Sequence, residues 1–292
     1  NWELVYCELY AGGKYNNLDG DNYEYSLGLN GLGACATQYS SEYMDVEVRR
    51  DGTRYTLHFE HGENIGGLTQ EPYARKDTGT TIRFKPDLKV FTDIRIPADY
   101  YRDILRRQAI VNPNLLFVLR LQNGRSFDTE EFVYQNGIED YVRELVGEER
   151  LTDVQVWSAE RRGRDRADKP EYKVNLLEYY HNSSFLEHGG APEKAVRSAF
   201  VAQIDAYLKQ NGRYLKNESK ISFQDVQDCL VLVSSSLSTQ TSYENQTKKA
   251  INNKFIQEAM TDFLRHHLEV YFLENKVEAD KLTEQVLINK RS

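Results

Sequence analysis

Gly28-Leu29-Asn30-Gly31-Leu32-Gly33, running directly into Ala34-Cys35-Ala36-Thr37-Gln38-Tyr39-Ser40-Ser41, is the stretch on which the fold turns. Glycines at this spacing let the backbone approach a ligand closely and present several N–H groups to it. A helix over 34–41 adds its positive N-terminal end to the attraction for phosphate. The spacing is G-x-x-G-x-G, which is not the dinucleotide fingerprint G-x-G-x-x-G. It also lacks the G-K-[ST] ending of a P-loop. Taken alone, the cluster is open to two readings, a tight turn and a phosphate cradle.

Outward from it, the pattern is mixed. Residues 10–33 form a glycine-rich loop. Residues 44–50 and 53–59 alternate apolar and polar around Asp51-Gly52, a strong hairpin signal because this pair takes the positive φ angles of a type I′ turn. A strand follows over 80–84, ended by Pro86, then a helix over 100–110 closed by Asn112-Pro113. Residues 115–121 and 127–134 predict a second hairpin across Asn123-Gly124. The pattern changes at Gln135-Asn136-Gly137, which sets a domain boundary between 1–136 and 137–292. Beyond it the expected elements are a short helix over 138–146, a polar Arg- and Asp-rich stretch, and a strand over 175–180. A helix over 191–210 follows Gly189-Gly190, with Val196, Phe200, Ile204 and Leu208 at helical spacing. Then come a buried strand over 228–234, a long helix over 247–275 and a last helix over 279–290. Strands precede helices in each half, so the class is α+β with two domains.

The 292 residues are 40% hydrophobic and 28% charged, the composition of a globular chain, and no apolar run approaches a membrane span. No membrane partner is expected. Cys7, Cys35 and Cys229, odd in number and widely spaced, read as reduced small hydrophobes, which points to the cytoplasm. The pairs His58/His61 and His266/His267 lack an HExxH context, so no metal ligand is assigned. A net charge of −8 argues against a surface that grips DNA throughout. One basic run stands out: Arg161, Arg162, Arg164 and Arg166, with Lys169 nearby. It reads either as a solvated loop or as a contact to phosphates of passing DNA.

Tyr10-Ala11-Gly12-Gly13-Lys14-Tyr15, Asn22-Tyr23 and the 26–33 stretch together resemble the ATP lid of the B subunits of bacterial type IIA DNA topoisomerases, the gyrase and topoisomerase IV family. These belong to the GHKL-type ATPase superfamily shared with MutL proteins, heat-shock chaperones and histidine kinases. Asp77-Thr78-Gly79-Thr80-Thr81-Ile82-Arg83-Phe84 is similar to a strand motif of that family. His188-Gly189-Gly190 and Gln246-Thr247-Lys248 are similar to its transducer domain and the loop that reaches back to the nucleotide. The resemblance runs through the chain in order. It implies a partial GHKL-type α/β sandwich followed by a ribosomal S5 domain 2-like transducer with a long C-terminal helix.

The same resemblance implies roles. Lys14 contacts the phosphates, and Tyr23 lies near the adenosine. Gly28, Leu29, Asn30, Gly31, Leu32 and Gly33 wrap the triphosphate, Thr80 holds the adenine end, and Arg50 flanks the pocket. Gln246 and Lys248 touch the γ-phosphate from the second domain and are the catalytic candidates. An ammonium there stabilises charge developing on the transferring phosphoryl group. The implied cofactors are ATP and Mg²⁺. The implied partners are an A-type topoisomerase subunit, DNA, and a second copy joined through ATP-dependent homodimerisation.

There are departures. The family's catalytic glutamate, Mg²⁺-holding asparagine and adenine-reading aspartate lie on a helix before the lid, and neither Glu3 nor Glu8 matches them. The chain is therefore expected to lack the family's N-terminal part, with the Mg²⁺ ligands upstream of Asn1. Residues 1–292 alone are then expected neither to hydrolyse ATP nor to dimerise. The 166–182 stretch is short for a transducer, Leu27 stands where glycine is common, and Asn30 where histidine is common. The rival readings are a MutL-like mismatch-repair ATPase and a non-catalytic interaction module.

Overall fold

A computed structural model describes residues 2–11, 25, 28, 31–169, 171–178, 180–181, 184–185, 188–245 and 247–292. Residue contacts divide it into two compact units. The described residues up to 97 other than Tyr25 form the first, and the second takes in 98–292.

The first unit opens with the short helix α1 (Trp2–Tyr6) and α2 (Gly33–Tyr39). Its sheet is built from β1 (Ser41–Arg50), β2 (Thr53–Glu60), β3 (Glu63–Asn64), β4 (Thr69–Pro72) and β5 (Gly79–Pro86). The order is β3-β2-β1-β5, with β4 also paired to β2. The Asp51-Gly52 turn forms as expected, with φ of 53° and 72° at the two positions and Arg50 facing Thr53. One sheet face carries Met44, Val46, Leu57 and Phe59, each under 7% exposed. Trp2 and Tyr6 of α1 lie on Phe59, with ring centroids 6.0 and 5.9 Å away.

The second unit begins with α3 (Ala98–Val111) and the hairpin β6 (Phe117–Asn123) and β7 (Ser126–Phe132). Asn123 pairs with Ser126, so the two-residue turn is Gly124-Arg125 and Gly124 takes the left-handed backbone, one position beyond the expected turn. Then follow α4 (Ile138–Val146), β8 (Ala159–Gly163), β9 (Tyr172–Glu178), β10 (Tyr180–His181), β11 (Ser184–Phe185), α5 (Ala191–Gln210), α6 (Phe223–Gln227), β12 (Ser235–Ser238), α7 (Lys254–Glu274) and α8 (Lys276–Arg291). The sheet order is β11-β10-β12-β9-β8, with β10 and β12 parallel and the other pairs antiparallel. The core lies between α5 and α7. Val196, Ala199, Phe200, Ile204 and Leu208 belong to one cluster with Ile256, Met260, Phe263, Leu264 and Leu268.

Three expectations are corrected. The strand expected over 228–234 forms instead at Ser235–Ser238. Cys229, Leu230 and Leu232 pack against the helical core, and the fully covered Ser236 and Ser238 are small enough to pair with β9 beneath it. The long helix starts at Lys254 rather than 247, because the backbone before it folds into a closed loop. The polar stretch after α4 contains a strand, β8, which carries Arg161 and Arg162 opposite Val174 and Lys173 of β9.

Candidate functional site

In the first unit, the glycine cluster leads into α2. Gly31 has φ 61°, Leu32 is the N-cap, and the first helical bond runs from Ala36 N to the Leu32 carbonyl at 2.8 Å. A Cβ added at Gly33 would find nothing within 4 Å, so packing of the described residues makes no demand for glycine there. The first helical turn carries N–H groups that lack intrahelical acceptors.

Thr80 lies on β5 directly opposite Val48, and Arg50 lies two residues further along β1. Facing residues of an antiparallel pair share a sheet face, so Thr80, Val48 and Arg50 continue the face of Met44 and Val46. Arg50 is exposed and paired with its neighbour Asp51 at 3.0 Å. The adjacent Arg49 holds the Asp77-to-Thr80 motif. Its Nη1 donates to Asp77 Oδ2 at 2.9 Å and to the Tyr73 hydroxyl at 3.4 Å, and that hydroxyl donates to Asp77 Oδ1 at 3.1 Å. Gly79 makes room for this guanidinium, since a Cβ there would sit 2.8 Å from Arg49 Nη2. Sequence reasoning passed over Arg49, and its alternation with Arg50 on the strand was the available signal.

Lys14, Tyr23, Leu29, Asn30 and Gln246 lie outside the described residues. Gly28 is described and exposed.

In the second unit, Lys248 sits in a loop closed at its stem by an antiparallel bridge between Tyr243 and Ile251. Glu244 N donates to the Ala250 carbonyl at 3.0 Å, and Asn252 N to the Ser242 carbonyl at 3.0 Å. At the tip, Lys248 N donates to the Asn245 carbonyl at 3.2 Å, and Lys248 itself takes φ 59°. A left-handed backbone at a lysine is a strained conformation held by its surroundings. The Lys248 Nζ lies 5.9 Å from the centre of the Tyr243 ring, within cation–π range. Burial pushes the Tyr243 phenol well above its ordinary value, so the ring is neutral.

Two clamps hold this loop. On one side, His188 N donates to the Lys249 carbonyl at 2.9 Å and Ala191 N to the Ile251 carbonyl at 2.8 Å. Gly190 between them has φ 93°, and a Cβ there would lie 2.2 Å from Ile251 O, so only glycine fits. On the other side, Asn253, 3% exposed, accepts from Ser242 N at 2.6 Å and donates to Asp165 Oδ2 at 2.8 Å. Asp165 Oδ1 also accepts from Phe255 N at 2.9 Å.

The arginine run straddles the end of β8. All four side chains are exposed, and acidic partners lie beside three of them: Arg162 on Glu160 at 3.4 Å, Arg164 near Glu171 at 4.0 Å and Arg166 on Asp168 at 3.3 Å. His267 stacks on Trp157 at 5.2 Å, and burial pushes its imidazole below the usual value, so it serves packing. Among the described residues no helix is long and apolar enough to cross a membrane.

Residues 137–292 match the family model described as DNA gyrase B. The gyrase B protein of Spiroplasma citri is 30% identical across 99% of the chain and 46% of its own length. The B subunit of DNA topoisomerase 4 from Salmonella typhimurium is 25% identical across 98% of the chain and 45% of its length. The chain thus spans about half the length of these curated relatives. Among solved structures, the topoisomerase IV ATP binding domain of Francisella tularensis in complex with a small-molecule inhibitor superposes with a TM-score of 0.68 at 22% identity, covering 99% of this chain and 76% of that one. The 43K ATPase domain of Thermus thermophilus gyrase B in complex with an aminocoumarin gives 0.60 at 24% identity, covering 88% of this chain and 70% of that one. The mixed α/β fold is therefore that of these ATPase domains, and with its family model matched over more than half its length the chain belongs to the DNA gyrase B family.

Proposed function

We propose that this chain is part of the B subunit of an ATP-hydrolysing type II DNA topoisomerase, in which ATP binding closes a two-subunit clamp on DNA. The observation that carries the reading is the loop presenting Lys248, clamped on both sides and with its lysine in a left-handed backbone. Strain retained at an ordered loop tip is typical of a residue positioned for chemistry. Residues 1–136 then belong to the ATPase region and 137–292 to the transducer, a boundary supported by the residue at which the family match begins. The match to the DNA gyrase B model favours this reading over a mismatch-repair ATPase.

Within it, the Gly28-to-Gly33 backbone and α2 receive the phosphates, with Lys14 from the lid. The open space at Gly33 fits that use. Thr80, held by the Arg49–Asp77 pair, faces the adenine end, Tyr23 packs near the adenosine and Arg50 flanks it. Lys248 and Gln246 meet the γ-phosphate, where an ammonium stabilises the charge developing on the transferring phosphoryl group. Mg²⁺ supplies charge neutralisation on the phosphates when bound. Among the described residues no group of three His, Cys, Asp or Glu is disposed to hold it, so no step is assigned to it here. The partners are an A-type subunit, DNA and a second copy, and the setting is the cytoplasm.

Lys248→Ala in the full-length protein tests the reading. A contact that strengthens in the transition state affects turnover more than binding. ATP hydrolysis should be lost while a nucleotide titration retains most of the affinity. Unchanged turnover refutes the role of Lys248.

A further inference from the structure

We propose that Asp165 is a positioning residue for Lys248, acting through Asn253. This rests on the role given to Lys248 above. Asp165 lies far from the Lys248 loop in sequence, in the turn after β8, yet both of its carboxylate oxygens are engaged at the start of α7. Oδ1 accepts from the Phe255 amide, one of the opening N–H groups of α7, where an anion is favoured by the helix end. Oδ2 accepts from Asn253 Nδ2. That bond fixes which way the Asn253 amide points, leaving Oδ1 to accept from Ser242 N at the stem of the Lys248 loop. Asn253 is 3% exposed, so a rotated amide has no water to fall back on.

A second contact brings the two segments together independently. Gly163 at the end of β8 faces the Phe255 ring, and a Cβ there would come within 2.2 Å of Cε2. The β8 end thus seats on α7 by packing, and Asp165 converts that seat into a tether on the loop stem. Loss of the carboxylate removes an acceptor from each of two N–H donors, which weakens one of the two clamps on a loop whose tip is strained at Lys248. The clamp at Gly190 stays intact, so the loop loosens without unfolding.

The test uses the full-length protein with Asp165→Ala, Asp165→Asn, Lys248→Ala and the Asp165→Ala/Lys248→Ala pair. A positional loss of a transition-state contact lowers kcat by about tenfold with KM for ATP within about twofold. Backbone hydrogen exchange at Ser242 and Phe255 should quicken by about tenfold or more, as local opening no longer breaks charge-assisted bonds. Asp165→Asn retains a carbonyl acceptor and falls between parent and Ala in both readouts. In the Lys248→Ala background, Asp165→Ala costs no further residual turnover, since both act through the same contact. Unaltered exchange at the two amides overturns the proposal, and so does an undiminished further loss of turnover in the Lys248→Ala background. Should Lys248→Ala keep parental turnover, the functional reading falls by itself, and the exchange rates still uphold or overturn the tether.

Discussion

Gly190→Ala removes no side chain and adds one carbon, and the structure places that carbon 2.2 Å from Ile251 O and 3.0 Å from Ile251 N. The obstacle is backbone on both counts, so no side-chain rotation relieves it. Holding a non-glycine residue at φ 93° and ψ −131° costs about 1–3 kcal/mol. Moving Ile251 away breaks the Ala191-to-Ile251 bond and draws the adjacent His188-to-Lys249 bond with it, at about 1 kcal/mol each. The sum is roughly 3–5 kcal/mol out of a typical net stability of about 5–15 kcal/mol. Gly33→Ala is the matched control: Gly33 is a glycine with no neighbour within 4 Å of a Cβ, in the first turn of a helix. Its stability should be unchanged or higher by up to about 1 kcal/mol. Urea unfolding followed by circular dichroism, comparing both variants with the parent, reads the difference. If Gly190→Ala unfolds within about 1 kcal/mol of the parent, the clamp between α5 and the Lys248 loop is not as described.

Replacing Arg161, Arg162, Arg164 and Arg166 with Gln should weaken DNA-stimulated hydrolysis in the full-length protein and leave basal hydrolysis alone. The salt slope should fall by about 0.9 for each phosphate contact removed, and an unchanged slope identifies the run as solvated surface. Gln38 of α2 is wholly buried, and among the described residues neither of its amide atoms has a partner. Gln38→Met should therefore raise stability by about 1–3 kcal/mol in chemical denaturation, and a loss of stability shows a partner for the amide. His58 is bonded to Asp45 at 2.6 Å and Glu60 at 3.1 Å, which raise its pKa above the ordinary 6.5. Its stabilisation is complete below about pH 6.5 and is lost as pH rises through the folded-state value. Denaturation midpoints should drop over that interval in the parent and stay flatter in the Asp45→Asn/Glu60→Gln double variant.

Much of the fold was legible because local signals agreed. Asp51-Gly52 fixed the register of β1 and β2. Gly189-Gly190, Pro192 and the row Val196, Phe200, Ile204, Leu208 delimit α5 at Ala191–Gln210. The failures share a cause. β12 is made of serines suited by size to the space under the helices, and β8 of arginines whose pairing partner lies across a turn, so neither shows strand composition. The expected start of α7 falls too early because Ile251 keeps the helical period while serving as a bridge residue. At the site, motifs pointed to the glycine loop and Lys248. They could not point to Asp165, whose bond to Phe255 spans 90 positions, or to Asn253, whose amide matters only once both segments have met.

β12 pairs with β9 on one side and β10 on the other, although α5 and α6 separate it from both along the chain. During synthesis, β8, β9 and β10 leave the ribosome early, yet their sheet lacks its middle strand until two helices and the connection after them have followed. Until then β9 presents an unpaired edge, open to pairing with another chain. Closing so long a loop is a slow step that local hairpins do not face. β12 thus emerges after α5 and α6 but before α7, the helix that completes the core with α5, and the second unit should be most prone to misassociation in the interval before β12 arrives.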